Sequence, residues 1–124
     1  MEDLYQEVRL EAAENPQNFG ELEAFNAEWN GFNASCGDRV SVQIQLSSDG
    51  TITDIAWKGE GCIISQAAMS AVSEAVKGKA SVQIEEMTLH DILPLLHFDT
   101  ISPGRIKCCM LGLESIRKAL AAKK

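Results

Sequence analysis

Apolar and polar residues alternate along residues 39–46, and this is the clearest pattern in the chain. One set of side chains is apolar (Val40, Val42, Ile44 and Leu46), and the set between them is polar (Arg39, Ser41, Gln43 and Gln45). A period of two residues predicts a half-buried strand. The next residues include Asp49-Gly50, which is typical of hairpin turns, so residues 51–57 are expected to return as an antiparallel strand.

Upstream of this hairpin the pattern becomes helical. Residues 3–14 place apolar residues near one face and predict a helix. Asn15-Pro16 should end it, because proline restricts the preceding residue and cannot continue the hydrogen-bond ladder. Residues 17–20 are predicted as a turn, and residues 21–35 are expected to hold a first, irregular strand. That strand would be anchored by three aromatic residues, Phe25, Trp29 and Phe32.

Downstream of the hairpin the chain predicts further helices. A small-residue helix is expected from residues 63–77, and Gly78 can supply the left-handed residue that ends many helices. Residues 80–97 predict one or two short helices, with Thr88 as an N-cap. The last helix is expected over residues 103–121, beginning with proline at its first position. Its apolar stripe would be Ile106, Met110, Leu113, Ile116 and Leu120.

Together these elements predict an α+β fold, in which a small three-stranded antiparallel sheet packs against several helices. The 124 residues suit one domain, so we expect residues 1–124 to form a single unit. The composition is that of an ordinary globular protein, with 45% hydrophobic and 23% charged residues. Since no run approaches 18 apolar residues, no transmembrane helix is expected.

The net charge of -7 narrows the classes of partner. A nucleic-acid-binding protein needs clustered lysine and arginine to contact the phosphate backbone, so we expect no nucleic-acid partner. The first residues are acidic and lack the apolar segment of a secretory signal. We therefore expect a cytoplasmic protein with no membrane partner.

Three of the four cysteines lie beside a predicted element boundary. Cys36 precedes the 39–46 strand, Cys62 opens the central helix after Gly59-Glu60-Gly61, and Cys108 lies in the first turns of the last helix. Asp38 follows Cys36 across a flexible glycine. A helix N-terminus lowers the pKa of a thiol, because its unpaired N–H groups stabilise the thiolate. These four side chains are therefore candidate ligands.

The chemistry of this set suits two kinds of metal site. Three thiolates and a carboxylate are suitable ligands for tetrahedral zinc, and thiolate-rich sites also hold iron–sulfur clusters. The spacing is unlike that of a zinc finger, and no C-x-x-C pair occurs. The spacing alone therefore leaves a shared site and separate core cysteines both open. Cys109 is expected to be a small core residue.

Several short motifs occur in a characteristic order. They are Leu4-Tyr5, Asn15-Pro16-Gln17-Asn18-Phe19-Gly20, Ser35-Cys36-Gly37-Asp38, Gly59-Glu60-Gly61-Cys62 and Arg105-Ile106-Lys107-Cys108. In these motifs and their spacing the chain resembles the U-type iron–sulfur cluster assembly scaffolds, the family of IscU, SufU and the N-terminal domain of NifU. The resemblance covers nearly the whole length.

The resemblance implies roles for the candidate ligands. Cys36, Cys62 and Cys108 would carry sulfur and hold a 2Fe–2S cluster, and Cys108 is the candidate sulfur acceptor. Asp38 would be the carboxylate that ligates zinc in some members and tunes cluster lability in others. The implied partners are a cysteine desulfurase, which donates sulfur, and apo iron–sulfur proteins or carrier proteins, which receive the cluster. On this hypothesis the chain is a scaffold and not an enzyme.

Departures from the family pattern keep an alternative open. Many scaffolds have histidine at the position of Lys107, whereas SufU-like members resemble this chain there. That resemblance implies a zinc-dependent sulfurtransferase that accepts a persulfide sulfur. Lys107 and Arg105 are expected beside the site. Residues 101–107 replace the proline-rich segment that chaperones recognise in IscU-type members, so a DnaK-type chaperone is not expected. A third hypothesis is a purely structural zinc domain, in which Asp38 would be needed for folding.

Overall fold

The computed structural model describes residues 16–33, 37–61, 63–96 and 103–122, and only the backbone of residues 63, 104 and 105. The helix predicted over residues 3–14 lies outside these ranges. The strands are β1 (Ala27–Asn33), β2 (Asp38–Leu46) and β3 (Ile52–Glu60). The helices are α1 (Ile63–Val76), α2 (Ser81–Glu85), α3 (Leu89–Ile92) followed by a 3-10 turn (Leu93–Leu96), and α4 (Pro103–Ala122).

The sheet has the predicted three antiparallel strands in the order β1-β2-β3. Val40, Val42 and Ile44 are buried on one face of β2, while the alternating residues are exposed or half-buried. The hairpin turn after β2 closes with a hydrogen bond from the Gly50 N–H to the Ser47 carbonyl at 3.0 Å. The fold is therefore the predicted α+β class, with the period-two pattern setting which face is buried.

Helices α1 and α4 cover the inner face of the sheet, and small residues let them approach closely. A Cβ added at Gly31 on β1 would clash with the Ser115 side chain of α4. A Cβ at Gly112 on α4 would lie 2.6 Å from Met69 Sδ on α1. Since both contacts exclude a larger side chain, glycine is required where α4 crosses the sheet and α1. No helix in the described ranges is long and apolar enough to span a membrane.

The predicted turn at residues 17–20 lies along the outer edge of β3 and forms hydrogen bonds with both β3 and α1. Its backbone pairs with Trp57 in a short parallel bridge, and the indole Nε1 donates to the first carbonyl oxygen of the segment at 2.7 Å. Asn18 has a positive φ of 63°. Its Nδ2 donates to Ser73 Oγ at 3.0 Å, on helix α1. The motif that resembles the scaffold family at this position therefore joins helix α1 to the sheet.

Two predictions about strands were wrong in detail. The strand predicted over residues 21–35 is regular, because β1 pairs with β2 without a register shift. Its aromatic residues are not anchors, since Phe25, Trp29 and Phe32 are 38%, 36% and 58% exposed. Ala27 is buried in the core and Gly31 contacts Ser115 of α4, whereas Trp29 on the same face stays partly exposed beside Lys118 of α4. Strand β3 extends beyond the predicted end at residue 57 to Glu60, and Gly59 lies inside it, where a Cβ would be 2.5 Å from the Arg39 carbonyl oxygen.

The predicted helix boundaries were confirmed, but the predicted buried face of the last helix was partly wrong. Helix α1 begins at Ile63 as predicted, and Gly78 takes a left-handed φ of 83° after it. The Thr88 N–H donates to Asp91 Oδ2 at 2.8 Å at the start of α3. Helix α4 buries Cys109, Leu113, Ile116 and Ala119 completely, whereas Ile106, Met110 and Leu120 are half-buried. Contacts with both α1 and the sheet rotate the buried face from the predicted stripe.

Candidate functional site

Asp38, the first candidate ligand that the structure describes, begins β2 at one end of the sheet. Asn33 pairs with Asp38 across the turn, and the Gly37 N–H donates to the Asn33 carbonyl at 2.8 Å. Gly37 has a φ of 74°, which favours glycine because a side chain there is strained. Asp38 is only 1% exposed. Cys36, which precedes Asp38 by two positions in the chain, lies outside the described residues.

The end of β3 lies directly against the Asp38 side chain. Arg39 pairs with Glu60, so Gly61 follows at the same end of the sheet. Gly61 has a φ of 153°, and a Cβ added there would clash with the carboxylate of Asp38, lying 2.7 Å from its Cγ. The residue before Cys62 is therefore packed on the carboxylate. Cys62 itself lies outside the described residues.

Helix α1 begins two residues after Gly61, and a side chain of its first turns forms a hydrogen bond with the Gly61 backbone. The Gln66 side-chain Nε2 donates to the Gly61 carbonyl oxygen at 3.2 Å. Ser65 is 7% exposed in the same first turns. The N–H groups at the start of a helix attract negative charge, and α1 starts one residue after Cys62. The prediction that position 62 opens the central helix agrees with this boundary.

Helix α4 brings the last predicted ligand towards the same end. Leu111 and Gly112 border a small cavity of about 10 Å³ at the junction of α4, α1 and the sheet. Its other lining residues are Arg39, Val40, Trp57, Gly59, Glu60, Ser65, Gln66 and Met69. Cys108 precedes Leu111 and Gly112 by one helical turn on the same face. It is 1% exposed and forms part of the core.

The remaining predicted residues differ in how far the structure describes them. Lys107 is exposed, next to the buried Cys108. Of Arg105 only the helical backbone is described, so its predicted place beside the site stays a prediction. Cys109 is 0% exposed and belongs to the hydrophobic core, which confirms the expectation of a core residue.

The described ranges contain two of the four predicted ligands, Asp38 and Cys108. Within those ranges no three histidine, cysteine, aspartate or glutamate residues form a group that could hold a metal ion. The donor set still fits a thiophilic metal by its chemistry, because it combines thiols with one carboxylate, and its two described members, Asp38 on β2 and Cys108 on α4, are both buried. Sequence reasoning missed the contact of Gly61 with Asp38, for which the only sequence signal was glycine before cysteine.

Known proteins resemble this chain over nearly its whole length. The family model described as "NifU-like N terminal domain" matches residues 4–124. The zinc-dependent sulfurtransferase SufU of Bacillus subtilis is 29% identical over 98% of this chain and 92% of its own length. The iron–sulfur cluster assembly scaffold protein IscU of Escherichia coli is 32% identical over 94% of this chain and 91% of its own length.

A solved structure gives the same likeness in three dimensions. The crystal structure from Fervidobacterium islandicum, described as a candidate iron–sulfur cluster assembly scaffold for the SUF system, superposes with a TM-score of 0.80. It is 26% identical in sequence, and the match covers 95% of this chain and 97% of that one. The strand order and the helices on one face are therefore shared with that structure.

Proposed function

Because the chain belongs to the NifU-like N-terminal domain family, we propose that it is an iron–sulfur cluster assembly scaffold. It receives sulfur from a cysteine desulfurase, binds iron, and holds a 2Fe–2S cluster on Cys36, Cys62 and Cys108 before transfer to apo-proteins. One observation carries the proposal: Asp38 is buried against the backbone of Gly61, which directly precedes Cys62 in the chain. Likeness to the IscU and SufU relatives supports it.

The proposed ligands differ in hardness, and this difference suits temporary binding. Thiolates bind iron or zinc strongly, whereas a carboxylate oxygen exchanges more readily from a thiolate-rich site. Asp38 is 1% exposed, so its environment is fixed by packing and not by solvent. We propose that Asp38 supplies the exchangeable ligand at this site. Its neighbour Gly61 sets how close the backbone approaches it.

Sulfur would arrive by thiol exchange. The Cys108 thiolate attacks the outer sulfur of the desulfurase persulfide, the donor S–S bond breaks, and the donor cysteine leaves as a thiolate. Each sulfur delivered this way needs two electrons from an external reductant, such as a one-electron carrier protein, to become sulfide. Since Cys108 is 1% exposed, donor binding has to open the first turns of α4.

The second candidate function is zinc-dependent sulfur transfer. It is favoured by the SufU relative, which matches 98% of this chain, and by Lys107 beside Cys108. In this alternative the same four side chains hold zinc until one thiolate accepts the persulfide sulfur. A cation next to the thiol also favours its ionised form. The two functions differ in what is bound: a cluster in one and zinc in the other.

Metal and sulfide analysis separates the two functions. Purified protein is incubated anaerobically with ferrous iron, cysteine, a reductant and a cysteine desulfurase, and visible absorbance and acid-labile sulfide are measured. The scaffold function predicts a coloured protein with about two iron and two sulfide per cluster. A colourless product that contains zinc and accelerates the desulfurase would instead establish sulfur transfer. A colourless product with neither property would overturn both.

Asp38→Ala tests the carboxylate, with Asp54→Ala as its control. Asp54 is an exposed carboxylate on β3, away from the proposed site. We expect Asp38→Ala to remain folded and to lose its cluster more slowly to a chelator, while Asp54→Ala behaves as the unmodified protein. If Asp38→Ala does not fold even when zinc is supplied, the carboxylate is structural, and the structural zinc hypothesis is favoured.

The wider setting is proposed from the same family assignment. We propose that residues 1–124 form one domain of this type and that it acts in the cytoplasm. Its partners are then the sulfur donor and the proteins that receive the cluster. The net charge of -7 argues against a nucleic-acid partner.

A further inference from the structure

Strand β1 forms an edge of the sheet. The strand order places β1 outermost, and no strand in the described part of the chain pairs with its outer side. The opposite edge, β3, is partly covered by the segment at residues 17–20. Proteins usually protect an edge, because its N–H and C=O groups can pair with another strand. A seven-residue edge strand is long enough to do so.

Two of the four exposed side chains of β1 are aromatic, and each of these rings has a cation against it. Trp29 is 36% exposed, and Phe32 is 58% exposed. Lys118 Nζ lies 5.6 Å from the centre of the Trp29 ring, and the Arg39 guanidinium lies 5.6 Å from that of Phe32. In a chain of net charge -7, this edge therefore combines apolar rings with two cations.

We propose that β1 pairs antiparallel with β1 of a second copy of this chain. A two-fold axis through Asn30, the middle residue of the strand, pairs all seven residues: 27 with 33, 28 with 32, 29 with 31, and 30 with itself. An axis between residues would place the helices of the two copies on opposite faces, because side chains alternate along a strand. The axis through Asn30 keeps both helical layers on one face.

This register makes the two edges complementary. Directly opposed residues share a face of the sheet, so Glu28 of one copy lies beside Phe32 of the second copy and approaches the Arg39 that covers it. On the other face, Trp29 lies opposite Gly31, which has no side chain to obstruct the indole. Each contact occurs twice by symmetry. The two Glu28–Arg39 contacts offset part of the repulsion between acidic copies.

The pairing leaves the proposed iron–sulfur site open. In each copy Asp38 and Gly61 lie at the end of the sheet where β1 finishes, and the two-fold axis sends these ends in opposite directions. The result is a six-stranded sheet with one site at each end. The inference does not depend on the proposed function, and its tests need neither iron nor sulfide.

A cysteine at the symmetry axis gives a direct test. Opposed residues of antiparallel strands have Cα atoms about 4.5 or 5.5 Å apart, within the range that a disulfide spans. The full-length variant Asn30→Cys should therefore form a disulfide-linked dimer under mild oxidation with a chelator present. The control is Ser41→Cys, which is exposed on the same face but one strand inward. It loses the same hydrogen bond, from Ser41 Oγ to Asn30 Oδ1.

Peptide mass spectrometry identifies the bond, because the chain also has four native cysteines. A 30–30 link in Asn30→Cys, with no 41–41 link in the control, is the expected result. Failure of Asn30→Cys to form a 30–30 link, or equal linking in both variants, would overturn the proposed register.

Charge exchange gives an independent test by sedimentation velocity. With a chelator present, the unmodified chain should sediment as a dimer at tens of micromolar. Glu28→Lys and Arg39→Glu should each weaken dimerisation at least tenfold, and the double variant should restore it. The control Glu23→Lys makes the same charge change at an exposed position outside β1 and should remain dimeric. A monomer at several hundred micromolar would overturn the proposal, whichever other molecule covers the edge.

Discussion

Replacing Gly61 with alanine tests the packing that the structure shows at the proposed site. At this position φ is 153°, and the new Cβ would lie 2.7 Å from Cγ and 2.9 Å from Cβ of Asp38. Backbone strain of this kind costs about 1–3 kcal/mol. Overpacking against a buried side chain costs about another 1–3 kcal/mol. Since Asp38 is 1% exposed, it has little room to move.

We therefore expect Gly61→Ala to lower the free energy of unfolding by about 2–6 kcal/mol. For a domain of this size, each kcal/mol corresponds to roughly 3–5 °C in Tm. Urea unfolding followed by far-ultraviolet circular dichroism measures the loss directly. The same variant should also yield less cluster in the reconstitution assay, because the backbone that carries Cys62 is displaced from the Asp38 carboxylate.

Gly20 supplies a matched control. It has a φ of 141°, but an added Cβ there would meet no atom within 4 Å. Gly20→Ala therefore introduces backbone strain without the clash, and it should cost about 1–3 kcal/mol. The reasoning is refuted if the two alanine variants are equally destabilised, because the contact with Asp38 would then contribute nothing. It is also refuted if Gly61→Ala is as stable as the unmodified protein.

Three further predictions concern stability away from the site. Arg117 donates to the carbonyl oxygens of Ile84, Glu85 and Met87, so Arg117→Leu should cost about 1–3 kcal/mol in urea unfolding, and a neutral effect would contradict this role. Asn18→Ala should cost about 1–3 kcal/mol, and Asn18→Gly less, because glycine tolerates the φ of 63°; equal losses would show that only the side-chain bonds matter. Hydrogen bonds from Ser47 and Thr51 hold the pKa of Asp49 below its usual range, so the contribution of this carboxylate to stability is present above its unfolded pKa and is lost as pH falls through the lower folded pKa. NMR titration of Ser47→Ala should find the Asp49 pKa raised, and an unchanged pKa would show that the hydroxyl has no such effect.

The sequence alone determined those strands, turns and helix ends that depend on residues adjacent in the chain. Alternation over residues 39–46 predicted β2, and Asp49-Gly50 predicted its turn, because side-chain period and turn conformation depend on adjacent residues. Glycine at position 78 and proline at position 103 marked helix ends for the same reason. The motifs also indicated the family, which the family model then matched over residues 4–124.

Tertiary structure decided what depends on distant residues. Asp38 is buried with its side chain against the backbone of Gly61, 23 positions later, and no local pattern records that contact. Helix α4 turned its buried face towards Cys109 because it packs against α1 and the sheet together. The aromatic residues of β1 looked like core residues from their type alone, yet they lie at an edge. Whether a side chain is buried depends on which helices and strands pack against it. The hydrophobic pattern along the chain therefore predicts burial only for an element such as β2, which has a single apolar face.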